Sequence, residues 1–225
     1  MKTLAILPVK SFGAAKQRLA DSLGAGSRQA LAQAMFTDVL GALRRTDALD
    51  EIVVITSDRS AESAARGHGV VVLAEAGQVG HSQAAQIGIA HALGHGFDRV
   101  ALLPGDTPLL RPADVAGLLS RSGPGVTLVA DRHGTGTNAL VLSPADAIEP
   151  SFGPDSRARH IALAEEAGVP VRVDEVAALA LDVDTPDDLA ALAAELEQRR
   201  GQAQSTRGAL RQLDRAGAAP VRASA

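Results

Sequence analysis

Short, almost unbroken apolar runs recur along this 225-residue chain, and they constrain its fold more than any other feature. Leu4-Ala5-Ile6-Leu7-Pro8-Val9 opens the series. Glu51-Ile52-Val53-Val54-Ile55-Thr56, Val70-Val71-Val72-Leu73 and Arg99-Val100-Ala101-Leu102-Leu103 follow. Runs of this length without polar alternation predict strands buried on both faces, as in a parallel sheet covered by helices. Helical patterns lie between them. Over residues 27–45, Ser27 can cap the start, and Leu31, Met35, Val39 and Leu43 recur on one stripe. The Ala-rich segment between the second and third runs, residues 83–93, and a segment opened by Pro112 and running to about Ser120 also read as helices. Further strands are expected at 126–130, 139–142, 169–173 and 179–183, and a helix near 157–167. At Thr185-Pro186-Asp187-Asp188, Thr185 caps another helix and Asp188 closes a box-like pair. This alternation predicts an α/β fold: a single domain over residues 1–200, with a mainly parallel sheet and helices on both faces. Residues 201–225 differ. Small residues, Gln and four Arg against the single acid Asp214 give this segment a charge of +3. It reads as a weakly structured tail, with a short helix near 207–215 as the competing reading.

Composition narrows the classes of function. Twenty-two Lys and Arg against 26 Asp and Glu give a formal net charge of −4, which lacks the basic field that nucleic-acid binding needs. Four Phe with no Trp or Tyr cannot build a base-stacking platform. The absence of Cys excludes disulfides, thiolate metal sites and Cys nucleophiles. The N-terminal apolar run is too short to span a membrane and has no small-residue cleavage site. The expected location is the cytoplasm, away from membranes.

Ligands of open parallel sheets bind beyond the carboxyl ends of the strands, and three unusual segments sit there. The loop Lys10-Ser11-Phe12-Gly13-Ala14-Ala15-Lys16-Gln17-Arg18 places three cations directly after a buried strand. Such a loop suits a polyphosphate, although its spacing alone also describes a solvated basic loop. Asp106, after Pro104-Gly105, is a rigidly presented carboxylate that suits Mg²⁺ bound jointly with substrate phosphates; an Asx turn is the alternative. Asp182 and Asp184 lie two apart on an extended segment and can face the same side. Two carboxylates so placed call for a cation or strong donors. Charge decoration of a helix start accounts for Asp187 and Asp188 and poorly for Asp182. Two more stretches look suited to an anion. Asp131-Arg132-His133-Gly134-Thr135-Gly136-Thr137-Asn138 places glycines between hydroxyl residues. Phe152-Gly153-Pro154-Asp155-Ser156 leads into a helix start, where free N–H groups and Ser156 can hold phosphate. A turn and an ordinary Ser N-cap explain each stretch equally well when taken alone. His81, His91 and His95 read as surface residues without a third metal ligand, and no Ser-His-Asp order can be assembled.

Taken in order, these segments resemble one family. Val9-Lys10 with Ala15-Lys16-Gln17-Arg18-Leu19, then Gly105-Asp106, Gly134-Thr135-Gly136-Thr137, Phe152-Gly153-Pro154-Asp155-Ser156 with Arg159-His160, and Asp182-Val183-Asp184-Thr185-Pro186 look like the guanylyltransferases of coenzyme F-420 biosynthesis. These act on phosphoenolpyruvate, 2-phospho-L-lactate or a related phosphorylated acid. The resemblance spans roughly residues 4–195 and implies the glycosyltransferase-A-like nucleotidyltransferase fold, shared with the molybdenum-cofactor guanylyltransferase. It places Lys10, Lys16 and Arg18 on the triphosphate of GTP. It places Asp106, Asp182 and Asp184 on Mg²⁺, and Thr137, Gly153 and Ser156 on the phosphorylated acid. Family members often carry an Asn near the start of the helix after the third strand; here that stretch is Gly80-His81-Ser82-Gln83. Guanine preference therefore rests on the resemblance alone, which also leaves a homodimer open.

The resemblance implies transfer of GMP to the phosphate of the acid with release of pyrophosphate. A phosphate dianion is already a competent nucleophile, in keeping with the lack of an identifiable general base. Two other readings fit the same motifs: a related transferase with another acceptor or nucleotide, and an inactive nucleotide-binding module. The nucleotide that supports pyrophosphate release separates the first, and any turnover at all separates the second.

Overall fold

The first apolar run forms β1 (Thr3–Pro8), all six residues of which are buried. It lies at the centre of the sheet, and the computed structural model describes residues 1–75 and 80–215 around it. β2 (Glu51–Thr56) pairs in parallel on one side of β1, with Ile6 opposite Val53, and β4 (Arg99–Leu102) on the other, with Ile6 opposite Leu102. β3 (Val71–Ala74) extends the β2 side. Beyond β4 come β6 (Thr137–Ser143), β5 (Gly125–Ala130) and β7 (Val171–Asp174), giving the order β3-β2-β1-β4-β6-β5-β7. Only β6 runs against its neighbours. Its first residue, Thr137, consequently lies at the edge where the other strands end.

The two-residue period of each strand sends its side chains into two different cores. Ala5 and Leu7 join Val54 and pack under α1 (Ala25–Leu43), α2 (Arg59–Gly67) and α4 (Pro112–Arg121). Leu4 and Ile6 join Val53 and Ile55 under α3 (His81–Gly94) and α5 (Ser156–Glu166). Helix α3 lies unusually close to the sheet. A Cβ added at Gly88 would stand 2.5 Å from Ile6 Cγ2, so the missing side chain permits that approach. A third apolar cluster joins the far side of α1 to α7 (Pro186–Gln198) and α8 (Gln204–Arg215). α7 begins as expected, with Thr185 and Asp188 forming a reciprocal capping box.

Two expectations are corrected. Residues 179–183 form no strand: Ala177–Ala180 is a short helix, α6, and an extended segment follows it. The Leu179 and Ala180 carbonyls accept from Asn138 Nδ2 at 2.8 and 3.3 Å, so a side chain does what a strand partner would have done. The segment from residue 201 is not weakly structured over 204–215, which form α8 against α1, in line with the competing reading of a helix near 207–215. Asp38 on α1 caps α8, accepting from Ser205 N at 3.1 Å, Thr206 N at 2.8 Å and Thr206 Oγ1 at 2.7 Å. Residues 216–225 of the expected tail lie outside the described residues.

Candidate active site

The basic loop leaves the sheet at the end of β1 and is anchored at once. Asp58, the N-cap of α2, accepts from Ser60 N and Ala61 N with one oxygen. With the other it accepts from Ser11 Oγ at 2.8 Å and Phe12 N at 3.1 Å. Burial alone would raise this carboxyl, but the bonds from Ala61, Ser11, Ser60 and Phe12 hold it below the usual carboxylate value. Lys10 and Arg18 are exposed on either side of this anchor. Lys16 has a left-handed backbone (φ 58°), uncommon for a residue with a side chain, and sends that side chain inward until 5% of it is exposed. Its Nζ pairs with Asp106 and, at 3.0 Å, with Asp184. Burial would lower the lysine's pKa; Asp106 and Asp184 outweigh that and raise it.

Four of the residues expected at the nucleotide are thus gathered: Lys16, Asp106, Asp184 and, electrostatically coupled to both acids, Asp182. Burial pushes the Asp182 carboxyl up, and Asp106 and Asp184 add to the effect, while Asn138 Nδ2 opposes it by donating at 3.0 Å. Asp188 braces the segment from below. It accepts from Asp184 N and Thr185 N and pairs with Arg132 at 2.9 Å. Among the described residues, no three acidic or histidine side chains form a closed metal cage. Asp106 and Asp184 are bridged by the Lys16 ammonium.

Of the residues expected at the acceptor, Thr137 and Ser156 are both buried, and Gly153 holds a φ of +116° that a side chain would strain. The stretches carrying them are tied together at the start of α5. Arg157 N donates to Thr135 O at 3.1 Å, and Arg157 Nη1 to Gly134 O at 3.0 Å. Ser156 is not the N-cap. Asp155 holds that position, and Ser156 N already donates to Gly153 O at 3.1 Å. The first two amides of this helix therefore hold the loops together and are not free for an anion, contrary to expectation. What Ser156 retains for a ligand is its hydroxyl.

Between the two halves stands the start of α3. His81 is not a surface residue: its ring lies edge-on to Phe152 at 4.8 Å, and Ser82 Oγ accepts from Phe152 N at 2.8 Å. Burial, reinforced by the charge of Lys10 and opposed by Asp106, pushes the His81 pKa down to about 4. On the far side of Phe152, edge-on at 5.1 Å, lies His160, fully buried. It contacts Thr137 Oγ1 through Nδ1 at 3.0 Å and accepts from Ser151 N through Nε2 at 2.9 Å. Burial and the neighbouring Arg159 charge push its pKa down to about 4. Sequence reasoning missed the roles of Asp58, Asn138 and His160. Asn138 and His160 stand beside or inside the quoted motifs, but each acts on a partner more than twenty residues away or across the acceptor loops.

An open parallel sheet with carboxylates, an ammonium and hydroxyl-bearing loops at its carboxyl edge has the architecture of a nucleotidyltransferase. The same fold occurs in a protein of Desulfovibrio desulfuricans G20 classed with nucleotide-diphospho-sugar transferases, at a TM-score of 0.75 and 19% identity over 96% of each chain. The chain belongs to the family described as Guanylyl transferase CofC like, which matches residues 3–216. It is 52% identical to the phosphoenolpyruvate guanylyltransferase of Conexibacter woesei over 95% of this chain and 97% of that one. It is 38% identical to the 2-phospho-L-lactate guanylyltransferase of Methanothermobacter thermautotrophicus, over 84% and 83%.

Proposed function

We infer that the chain transfers the guanylyl group of GTP to the phosphate of a small phosphorylated acid and releases pyrophosphate, as a step of coenzyme F-420 biosynthesis in the cytoplasm. Phosphoenolpyruvate is the favoured acceptor, because the relative at 52% identity carries that name and the one at 38% carries 2-phospho-L-lactate. The observation that carries the reading is the charge cluster at the carboxyl edge: Lys16 between Asp106 and Asp184, with Asp182 beside them.

The reaction joins two polyanions, so repulsion must be suppressed before an acceptor oxygen can approach the α-phosphorus. Lys10, Lys16 and Arg18 supply positive charge on the nucleotide side. Asp106 and Asp184 share the one Lys16 ammonium, with Asp182 beside them, and the hard oxygens of these acids suit a divalent cation such as Mg²⁺. Mg²⁺ is usually held by one or two carboxylates together with substrate phosphates. Asp106 with Asp182 or Asp184 would hold it, and when bound it would neutralise the triphosphate and the leaving pyrophosphate. Thr137, Gly153 and Ser156 would hold the acceptor in line. No residue need remove a proton, because the acceptor phosphate attacks as a dianion.

The test is GTP turnover with phosphoenolpyruvate, 2-phospho-L-lactate and 3-phosphoglycerate offered separately, scored by pyrophosphate release. Release with phosphoenolpyruvate is expected. Release with CTP in place of GTP, or with none of the three acids, would refute the reading.

A further inference from the structure

The two ring nitrogens of His160 meet partners of different kinds. The Ser151 amide can only donate, so Nε2, 2.9 Å away, must offer it a lone pair. The Thr137 hydroxyl, 3.0 Å from Nδ1, can donate or accept. With Nε2 committed as acceptor, the neutral ring carries its hydrogen on Nδ1 and gives it to Thr137 Oγ1. That hydroxyl then has its own single hydrogen left to offer. We propose that His160 is a positioning residue that fixes the Thr137 hydroxyl as a donor aimed at an anionic oxygen of the acceptor. The proposal rests on the reading that Thr137 meets the phosphorylated acid.

The surroundings hold this arrangement in place. His160 is fully buried, with Phe152 edge-on to its ring. The preceding residue, Arg159, donates from Nε to Ser151 Oγ and from Nη2 to Ser151 O, both at 3.0 Å, and also to the Pro154 carbonyl. It thereby clamps the segment whose amide selects the tautomer. A hydroxyl with fixed polarity favours a phosphate or carboxylate oxygen and disfavours an acceptor that presents a hydroxyl or amine hydrogen at the same point. It also suits the chemistry. A neutral donor orients the attacking phosphate without neutralising it, and the neighbouring Arg159 guanidinium is turned to Ser151 and Pro154.

The experiment has two arms on the full chain. In the first, ¹⁵N-histidine NMR of the ligand-free protein at pH 7 reads the His160 ring directly. The neutral Nδ1–H form is expected, and the Nε2–H tautomer or an imidazolium would overturn the proposal without any variant being made. In the second, His160→Asn, whose amide can donate near the Nδ1 position, is compared with His160→Leu. The leucine variant is expected to raise the acceptor KM by roughly tenfold and leave the GTP KM within about twofold, and the asparagine variant to recover most of the loss. An unchanged acceptor KM in His160→Leu, equal rises for both substrates, or no recovery in Asn would sink the proposal while normal wild-type turnover kept the function standing. If the wild type turns over no phosphorylated acid, the function fails first and the role of His160 toward it fails too.

Discussion

At the scale of single residues, the site separates charge from neutral hydrogen bonding, and substitutions can address each. Asp106→Asn keeps the shape of the loop but loses a carboxylate from the cluster. Lys16 retains Asp184 at 3.0 Å, so the ammonium is not orphaned. Turnover is expected to fall by at least roughly two orders of magnitude, with a melting temperature within about 3 °C of wild type. Near-normal pyrophosphate release at saturating Mg²⁺ would remove Asp106 from the cation site. Ser156→Ala tests the other half. Because Asp155, not Ser156, is the N-cap, little stability is at stake. Loss of a hydrogen bond to a charged phosphate, at about 1.5–3 kcal/mol, raises the acceptor KM by about one to two orders of magnitude and spares the GTP KM. A rise shared by both substrates would return Ser156 to a purely structural role. His160 gives a prediction in pH. The unfolded chain protonates this histidine near its ordinary value of 6.5, whereas the folded protein waits until about 4. The stability this difference contributes is complete above the unfolded value and is lost as pH falls from 6.5 toward 4, up to about 3 kcal/mol. Denaturant titrations at pH 7 and pH 5 are expected to show a larger acid loss for wild type than for His160→Asn; parallel losses would contradict it.

At the scale of elements, the chain was most legible where a local pattern suffices. β1, β2 and β4 carry the unbroken apolar stretches 4–8, 52–55 and 100–102, and the Thr185-Pro186-Asp187-Asp188 signal is complete within four residues. It was least legible where distant side chains decide. Leu179 to Val183 is apolar enough for a strand, but the Asn138 amide takes the carbonyls that a ladder would have used. α8 has a sparse apolar face, and its cap comes from Asp38, 168 residues before Thr206, so a local reading offers a helix near 207–215 only as the alternative. The cations and carboxylates of the site stood out at the strand ends, but the burial of Lys16 between two of them and the tautomer lock on Thr137 depend on contacts made only in the folded chain. Because α8 docks, truncation after Arg200 exposes the faces of α1 and α7 that now bury Leu213 and Ala203. A loss of about 3 kcal/mol is expected, which lowers the melting temperature by roughly 6–12 °C. Asp38→Ala alone is expected to cost about 1–2 kcal/mol while leaving both KM values unchanged. An unaltered melting curve for the truncated chain would show that α8 contributes nothing to the body.

At the scale of the whole molecule, Lys16 is already paired with Asp106 and Asp184 in the ligand-free cluster, so GTP alone brings a triphosphate up against acids whose ammonium is taken. GTP and Mg²⁺ together are therefore expected to raise the melting temperature, by roughly 5–11 °C at a hundredfold excess over Kd, and either alone by much less. Equal stabilisation by GTP in the presence of a chelator would show that the acids do not act through a cation. The reversal of β6 has a consequence for how such a protein can change. It brings residues 131–160, which carry the proposed acceptor residues Thr137, Gly153 and Ser156, to that edge as one continuous piece of chain, while the residues proposed for the nucleotide arrive from the end of β1, the end of β4 and the start of α7. On that reading, acceptor choice is expected to be heritable as a cassette. Exchanging 131–160 for the matching stretch of a relative that prefers another acid is expected to move the preference and leave GTP use intact, provided the graft keeps Asn138 and Arg132, which reach across to Asp182 and Asp188.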